Sequence, residues 1–129
     1  MSPIVEELVA EARSRIREIS AGDLMDMLES GVVLVDVREP GEYAQGHLPG
    51  AVNLPRGVLE FRIHAHPAMA GAADDAPAQL SRRLVLYCLT GGRSALAAAS
   101  LQRLGFTGVH SLAGGFDLWR NANLPVSME

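Results

Sequence analysis

A chain of 129 residues with 48% hydrophobic and 20% charged side chains has the size and composition of one globular domain, which excludes a disordered chain. The net charge of -4 argues against nucleic acid and anionic membranes as partners, because both need a basic face. The single cysteine cannot form an internal disulfide, and no signal peptide or membrane-length apolar run is evident. We therefore predict a cytoplasmic protein with a free thiol.

The first predicted element is an N-terminal helix. Apolar residues recur at helical spacing from Ile4 to Ala12. We assign residues 1–14 to a helical extension that either docks on the domain or mediates self-association. Residues 15–129 are assigned to a single domain, which is predicted to begin with a short edge strand at residues 15–19.

Strands and helices then alternate along the chain. Ser20 opens a capping-box pattern for a helix that ends near Gly31. Short apolar runs predict strands at 32–35, 51–54, 84–87 and 109–112, with helices at 39–44, 57–64 and 94–104 and after Gly114 and Gly115. This alternation indicates an α/β sandwich around a mainly parallel central sheet of about five strands, flanked by helices. The segment 65–81 is rich in Ala and Pro and is predicted to be a flexible insertion.

Cys88 stands where a predicted strand ends and a helix is expected to begin, at Arg93 or Ser94. Unpaired backbone N–H groups and the positive end of the helix dipole meet at such a position and lower the pKa of a thiol. We expect the loop to curl into a nest of amides, with Gly91 and Gly92 at positive φ and Arg93 closing the ring. A buried structural cysteine beside an ordinary glycine turn is the alternative.

Four segments stand out along the chain: Asp36–Tyr43 (DVREPGEY), Gly46–Pro55 (GHLPGAVNLP), Cys88–Ser94 (CLTGGRS) and Gly114–Phe116 followed by Trp119. In their content and their order they resemble the rhodanese family of sulfurtransferases, over roughly residues 15–125. The resemblance implies a rhodanese-like three-layer sandwich. It also implies transfer of a sulfane sulfur through a covalent persulfide on Cys88, with ping-pong kinetics and no further cofactor.

By the same resemblance, Cys88 is the catalytic nucleophile, and a loop of six residues surrounds the persulfide. That loop consists of Leu89, Thr90, Gly91, Gly92, Arg93 and Ser94. The implied partners are a small anionic donor such as thiosulfate and a thiol or cyanide acceptor, with a protein donor or acceptor as a further option. A sulfur-carrier or protein-interaction module with little small-molecule turnover is the alternative.

A cysteine phosphatase or arsenate reductase ranks below sulfur transfer. Related cysteine phosphatases place five residues between the cysteine and the arginine, whereas four separate Cys88 from Arg93. The comparison implies a ring that accommodates a sulfur atom but is tight for a tetrahedral phosphate.

The remaining candidates lie outside this loop. For Arg38, a place at the pocket mouth and a structural ion pair are both open; Phe61 and Arg62 match the pocket wall of the family loosely. We interpret Asp36, Glu42 and His47 as structural. His64 and His66 lack the partner ligands of a zinc site, so no metal is predicted.

Overall fold

The computed structural model describes residues 2–69 and 77–129, and a five-stranded parallel sheet lies at its centre. The strands are β1 (Arg17–Ile19), β2 (Val33–Asp36), β3 (Val52–Asn53), β4 (Leu84–Tyr87) and β5 (Val109–Leu112). Their order is β1-β5-β4-β2-β3, and every neighbouring pair is parallel. The prediction of an α/β fold with about five mainly parallel strands is confirmed, and β1 forms an edge as expected.

Helices connect the strands as parallel pairing requires. The connecting helices are α2 (Ala21–Leu28), α3 (Pro40–Ala44), α4 (Leu59–Arg62), α5 (Pro77–Leu80) and α6 (Gly92–Arg103), while α1 (Pro3–Arg15) precedes β1 and α7 (Gly115–Asn121) follows β5. The helix predicted for residues 57–64 is α-helical only in α4, and 3₁₀ turns flank it at Arg56–Val58 and Ile63–Ala65. None of the described helices is long and apolar enough to cross a bilayer.

The sheet is covered on both faces, which explains its continuous apolar strands. Alternate residues of β4 point to opposite sides: Leu84 and Leu86 pack with α4 and α6, while Val85 and Tyr87 pack with α2 and α7. All four residues are buried, and so are all four residues of β2. The predicted three-layer sandwich is therefore the observed architecture.

Helix α1 docks on α6, one of the two arrangements predicted for the N-terminal extension. Val9 and Ala12 of α1 form a small buried cluster with Ala95 and Ala99 of α6. Small side chains on both helices allow this close approach, and it brings α1 against the segment that begins at the Cys88 loop.

The predicted flexible insertion at 65–81 includes residues 70–76, which lie outside the described residues. Its two described ends are held together. Met69 is buried in the core, and its carbonyl accepts a 2.7 Å hydrogen bond from the buried side chain of Gln79 in α5. These ends are thus packed on the domain.

Candidate active site

Cys88 lies at the carboxyl end of β4, a strand in the interior of the sheet, and α6 begins four residues later at Gly92. Carboxyl ends of parallel strands are where ligands bind in α/β folds. The residue is only 1% exposed, and its neighbours on one side belong to the core between the sheet and α6. The thiol therefore lies at the junction between the apolar core and the start of a helix.

Two backbone amides donate to the sulfur of Cys88, and one hydroxyl lies close to it. The amide of Gly91 lies 3.1 Å from Sγ, and the amide of Ser94 lies 3.4 Å from it. The Ser94 hydroxyl lies 3.6 Å away. The start of α6, a helix of 12 residues, adds its dipole at the same point. This arrangement is the predicted nest, and it distinguishes Cys88 from a cysteine buried only among apolar groups.

The local environment changes the pKa of Cys88 in two opposing ways. Burial raises the pKa of the thiol because it disfavours the charged form. Hydrogen bonds from the Ser94 hydroxyl and from the amides of Ser94, Gly91 and Thr90 outweigh burial, so the pKa lies below its ordinary value. The geometry thus favours the thiolate, the nucleophilic form of cysteine.

The two loop glycines differ in conformation, which corrects one prediction. Gly91 has φ +111°, a region that L side chains rarely adopt, and it is the N-cap residue of α6. Gly92 was predicted to share a positive φ, and this is wrong because α6 begins one or two residues earlier than expected and includes Gly92 in its first turn. Only Gly91 therefore requires glycine for its backbone conformation.

The first turn of α7 holds the carbonyl side of the Cys88 loop. The amide of Phe116 donates to the Cys88 carbonyl at 2.9 Å, and the amide of Asp117 donates to the Leu89 carbonyl at 3.0 Å. Gly115 lies so close that a Cβ there would approach the Leu89 carbonyl oxygen to 2.7 Å. The sequence marked Gly115 only as a helix start, although the adjacent pair of glycines was a signal of close backbone approach.

Arg93 lies in the first turn of α6, and its guanidinium is paired, so that its closing the ring around a bound anion stays a prediction. Its Nη1 and Nη2 atoms bind the two carboxylate oxygens of Glu42 in α3, at 2.7 and 3.0 Å. The hydrogen bonds from Arg93 are the main reason that the pKa of Glu42 falls to about 2. Sequence reasoning missed this role for Glu42, because 51 residues separate the partners.

Of the two interpretations of Arg38, the structure shows the ion pair. Its guanidinium binds the buried carboxylate of Asp36, with Nη2–Oδ2 at 2.7 Å, donates to the Gly46 carbonyl at 2.7 Å, and lies 4.5 Å from the ring centre of Phe116. It also lines a cavity of about 210 Å³ that borders Leu89. Arg38 therefore stands beside the loop while its charge is neutralised by Asp36.

Phe61 and Arg62, the loosely matched wall residues, occupy the outward side of α4. Phe61 is 87% exposed and Arg62 is also exposed, whereas Leu59 and Ile63 of the same segment are fully buried in the core that contains Cys88. The residues of this segment that reach the core are therefore Leu59 of α4 and Ile63 of the 3₁₀ turn that follows it. A wall role for Phe61 and Arg62 stays a prediction.

Three of the four histidines make structural contacts. His47 stacks on Tyr43 with ring centres 3.7 Å apart, and its Nδ1 lies 2.9 Å from the Tyr43 carbonyl, as expected for a loop anchor. His64 stacks on Phe106, and Nδ1 of His66 accepts from the amide of Ala68 at 3.0 Å. Over residues 2–69 and 77–129, no three His, Cys, Asp or Glu side chains come together as metal ligands would.

Ser111 is a site residue that the sequence did not reveal. It lies in β5, is fully buried, and its hydroxyl is 2.8 Å from the hydroxyl of Ser94. The signal in the sequence was a serine next to His110 in the short strand Val109–Leu112. Its partner lies 17 residues away and follows only from the strand order.

Comparison with known proteins agrees with this geometry. The family model of the Rhodanese-like domain matches residues 20–122. The thiosulfate sulfurtransferase GlpE of Stutzerimonas stutzeri is 39% identical over 95 residues, which cover 74% of this chain and 76% of that protein. The human single-domain sulfurtransferase TSTD1 superposes with a TM-score of 0.68 and 33% identity, over 81% of this chain and 95% of that chain.

A further solved structure, from Rhodopseudomonas palustris, covers 98% of this chain and 96% of its own, with a TM-score of 0.79 and 34% identity. It is described as a protein of unknown function and possible tyrosine phosphatase. The fold, the Cys88 loop and these matches define the class: the chain belongs to the Rhodanese-like domain family. Curated relatives that are 36% to 39% identical to it are named thiosulfate sulfurtransferase, and the chain is a rhodanese-type sulfurtransferase.

Proposed function

We propose that this enzyme transfers a sulfane sulfur from thiosulfate, or a donor of similar charge, to cyanide or a thiol through a persulfide on Cys88. The observation that carries the proposal is the pair of amides, from Gly91 and Ser94, at 3.1 and 3.4 Å from Sγ. They offer fixed positive dipoles to a charged sulfur without any rearrangement. Relatives named thiosulfate sulfurtransferase support thiosulfate as the donor.

In the first half-reaction the Cys88 thiolate attacks the outer sulfur of thiosulfate. A new sulfur–sulfur bond forms to Sγ, and the sulfur–sulfur bond of thiosulfate breaks with its electron pair leaving on sulfite. The products are the Cys88 persulfide anion and sulfite, so charge and atoms balance. The lowered pKa of Cys88 supplies the attacking thiolate without a separate general base.

In the second half-reaction the carbon of cyanide, or the sulfur of a thiolate, attacks the outer persulfide sulfur. The bond from that sulfur to Sγ breaks, and its electron pair returns to Cys88 as the thiolate. Thiocyanate, or the persulfide of the acceptor, is released. The same amides stabilise the leaving thiolate, so one cradle serves both half-reactions.

The intact mass of the protein tests the intermediate directly, because Cys88 is the single cysteine of the chain. Incubation with thiosulfate should add about 32 Da, one sulfur atom, as expected for a covalent intermediate. Cyanide should then remove this mass and release thiocyanate. The Cys88→Ala variant is the control and should gain nothing. Absence of the adduct with thiosulfate, thiosulfonate and glutathione persulfide would count against the proposal.

Two other experimental outcomes would favour a different function. A stable persulfide with negligible turnover on cyanide or small thiols would favour a sulfur carrier that serves a protein partner. Hydrolysis of an aryl phosphate that is lost in Cys88→Ser would instead favour the phosphatase suggested for the Rhodopseudomonas palustris structure. We expect no such hydrolysis, because only four residues separate Cys88 from Arg93. The protein is proposed to act in the cytoplasm, where its thiol stays reduced.

A further inference from the structure

The Ser94 hydroxyl lies among three hydrogen-bond partners but has only one hydrogen to donate. The distances from its Oγ are 3.6 Å to Cys88 Sγ, 3.3 Å to the Gly91 carbonyl and 2.8 Å to Ser111 Oγ. The Gly91 carbonyl already accepts the amide of Ala95 at 3.1 Å. If Ser94 donates to Ser111, its one hydrogen is used there. Only when Ser111 donates is the hydrogen of Ser94 free for the Gly91 carbonyl or for the sulfur.

Ser111 is able to fix the direction of the bond between these two hydroxyls. It is fully buried on β5, and within the described residues the hydroxyl of Ser94 is its hydrogen-bond partner. A buried hydroxyl that donates nothing is unfavourable. When Ser111 donates to Ser94, its own hydrogen is satisfied and the hydrogen of Ser94 becomes available to Sγ. A charged sulfur favours this arrangement further, because bonds to ionised acceptors are stronger.

We propose that Ser111 is a positioning residue for the reaction at Cys88, and that its hydroxyl orients the Ser94 hydroxyl to donate to the charged sulfur. The chain of bonds runs from β5 through the first turn of α6 to the end of β4. Ser111 does not touch the substrate, and it acts through Ser94. This inference rests on the proposed function only in that the charged sulfur is the reacting group.

The test is the pH dependence of Cys88 alkylation by iodoacetamide, which requires no sulfur donor. In Ser111→Ala the apparent pKa of Cys88 should rise, and the alkylation rate near pH 6.5 should fall about two- to tenfold, the effect of one hydrogen bond in a buried network. Above both pKa values the rates should converge, because each protein is then fully thiolate. Persulfide formation from thiosulfate should follow the same pH shift.

A matched control and a double variant separate positioning from a general effect. Ser100→Ala makes the same change elsewhere on α6, where the hydroxyl binds Glu60, and should leave the alkylation profile unchanged. Ser94→Ala should raise the apparent pKa of Cys88, and adding Ser111→Ala to it should have no further effect, because Ser111 acts through Ser94.

An unchanged profile in Ser111→Ala, or full additivity in the double variant, would overturn the inference. Ser111→Thr retains the hydroxyl and should show the wild-type alkylation profile. If Ser111→Ala fails to fold, this variant is used in its place, and a shifted profile then contradicts the positioning role of Ser111. Failure of the proposed function is distinguishable, since wild-type protein would then take up no sulfur while the alkylation profile still reports on Ser111.

Discussion

Arg93 and Glu42 form a two-pronged ion pair that joins the first turn of α6 to α3, with nitrogen–oxygen distances of 2.7 and 3.0 Å. Parallel bonds of this kind fix both position and orientation of a guanidinium. The arginine of the loop is therefore a restrained cation next to Cys88 rather than a mobile one. Glu42 in turn is fixed by the amide of Glu39, which donates to the same carboxylate at 3.1 Å.

The first prediction concerns acid stability and the substitution Glu42→Gln. The pKa of Glu42 in the folded protein is about 2, below its ordinary value of 4.5. A depressed carboxyl pKa adds stability that is complete above the ordinary value and is lost as pH falls towards the folded one. The free energy of unfolding of wild-type protein should thus exceed that of Glu42→Gln at pH 6, by less than about 1 kcal/mol because the pair is partly exposed. This difference should be lost by pH 2.

Urea unfolding at a series of pH values measures this difference. Glu29→Gln removes an exposed carboxylate at the end of α2 and serves as the control, with no margin expected at either pH. A margin for Glu42→Gln that stays constant between pH 6 and pH 2 would show that the ion pair is absent in solution.

The second prediction contrasts the two loop glycines. Gly91→Ala places a side chain at φ +111° and 3.3 Å from Arg13 Nη2, so it should strain the loop by about 1–3 kcal/mol and turn the amide at 3.1 Å away from Sγ. Gly92 has helical geometry, and a Cβ there meets Val9 at an ordinary 3.8 Å. Gly92→Ala should therefore fold normally and keep its activity.

Persulfide formation by mass spectrometry and the alkylation profile of Cys88 compare these variants. Gly91→Ala should form the persulfide at least about tenfold more slowly, since each such amide contributes on the order of 1.4 kcal/mol or more to a charged group. Equal rates for the two variants would contradict the assignment of Gly91 as the loop position whose positive φ requires glycine.

Sequence patterns sufficed for the parts of the fold that local chemistry decides. The continuous apolar runs at β2 and β4 predicted strands covered on both faces, and Cys88 fell at a strand end because Leu84–Tyr87 could be recognised. Contacts between distant segments were not predictable in this way. Glu42 meets Arg93 only because α3 and α6 follow neighbouring strands of the sheet, and that order is not written in either segment.

The wrong prediction of a positive φ at Gly92 has a similar physical origin. Two adjacent glycines allow a positive φ at either position, and the choice depends on where the helix begins. The structure starts α6 at Gly92, so that the Ser94 amide falls in the first turn and its hydrogen is free to bind Sγ. A pattern of apolar residues cannot locate a helix start to one residue.

The third prediction concerns the contact between the first turn of α7 and the Cys88 loop. Gly115→Ala would bring a Cβ within 2.7 Å of the Leu89 carbonyl, in a backbone with φ +55°, so α7 must move away from the loop. The amides of Phe116 and Asp117 would then lose the Cys88 and Leu89 carbonyls. We expect a loss of about 2–4 kcal/mol of stability, with loss of persulfide formation wherever the protein still folds.

Gly57→Ala is the matched control, because nothing lies within 4 Å of a Cβ at Gly57 and its φ is not positive. Thermal unfolding and thiosulfate uptake should be close to wild type in this control. Wild-type stability in Gly115→Ala would mean that α7 does not approach the loop as closely as described.

The last prediction concerns the buried pair of Asp36 and Arg38. Both side chains are at most 3% exposed, and Arg38 also donates to the Gly46 carbonyl, so the pair ties the end of β2 to the loop that follows α3. Asp36→Asn leaves a buried guanidinium without its counter-charge and should cost about 3–5 kcal/mol of unfolding free energy. Asp117→Asn makes the same chemical change in an exposed pair with Arg120 and should cost at most about 1 kcal/mol. Chemical denaturation of both variants gives the comparison directly. If the two losses are equal, the scaffold role assigned to Arg38 is wrong, and its position beside Leu89 would instead have to be tested as a site for the anionic donor.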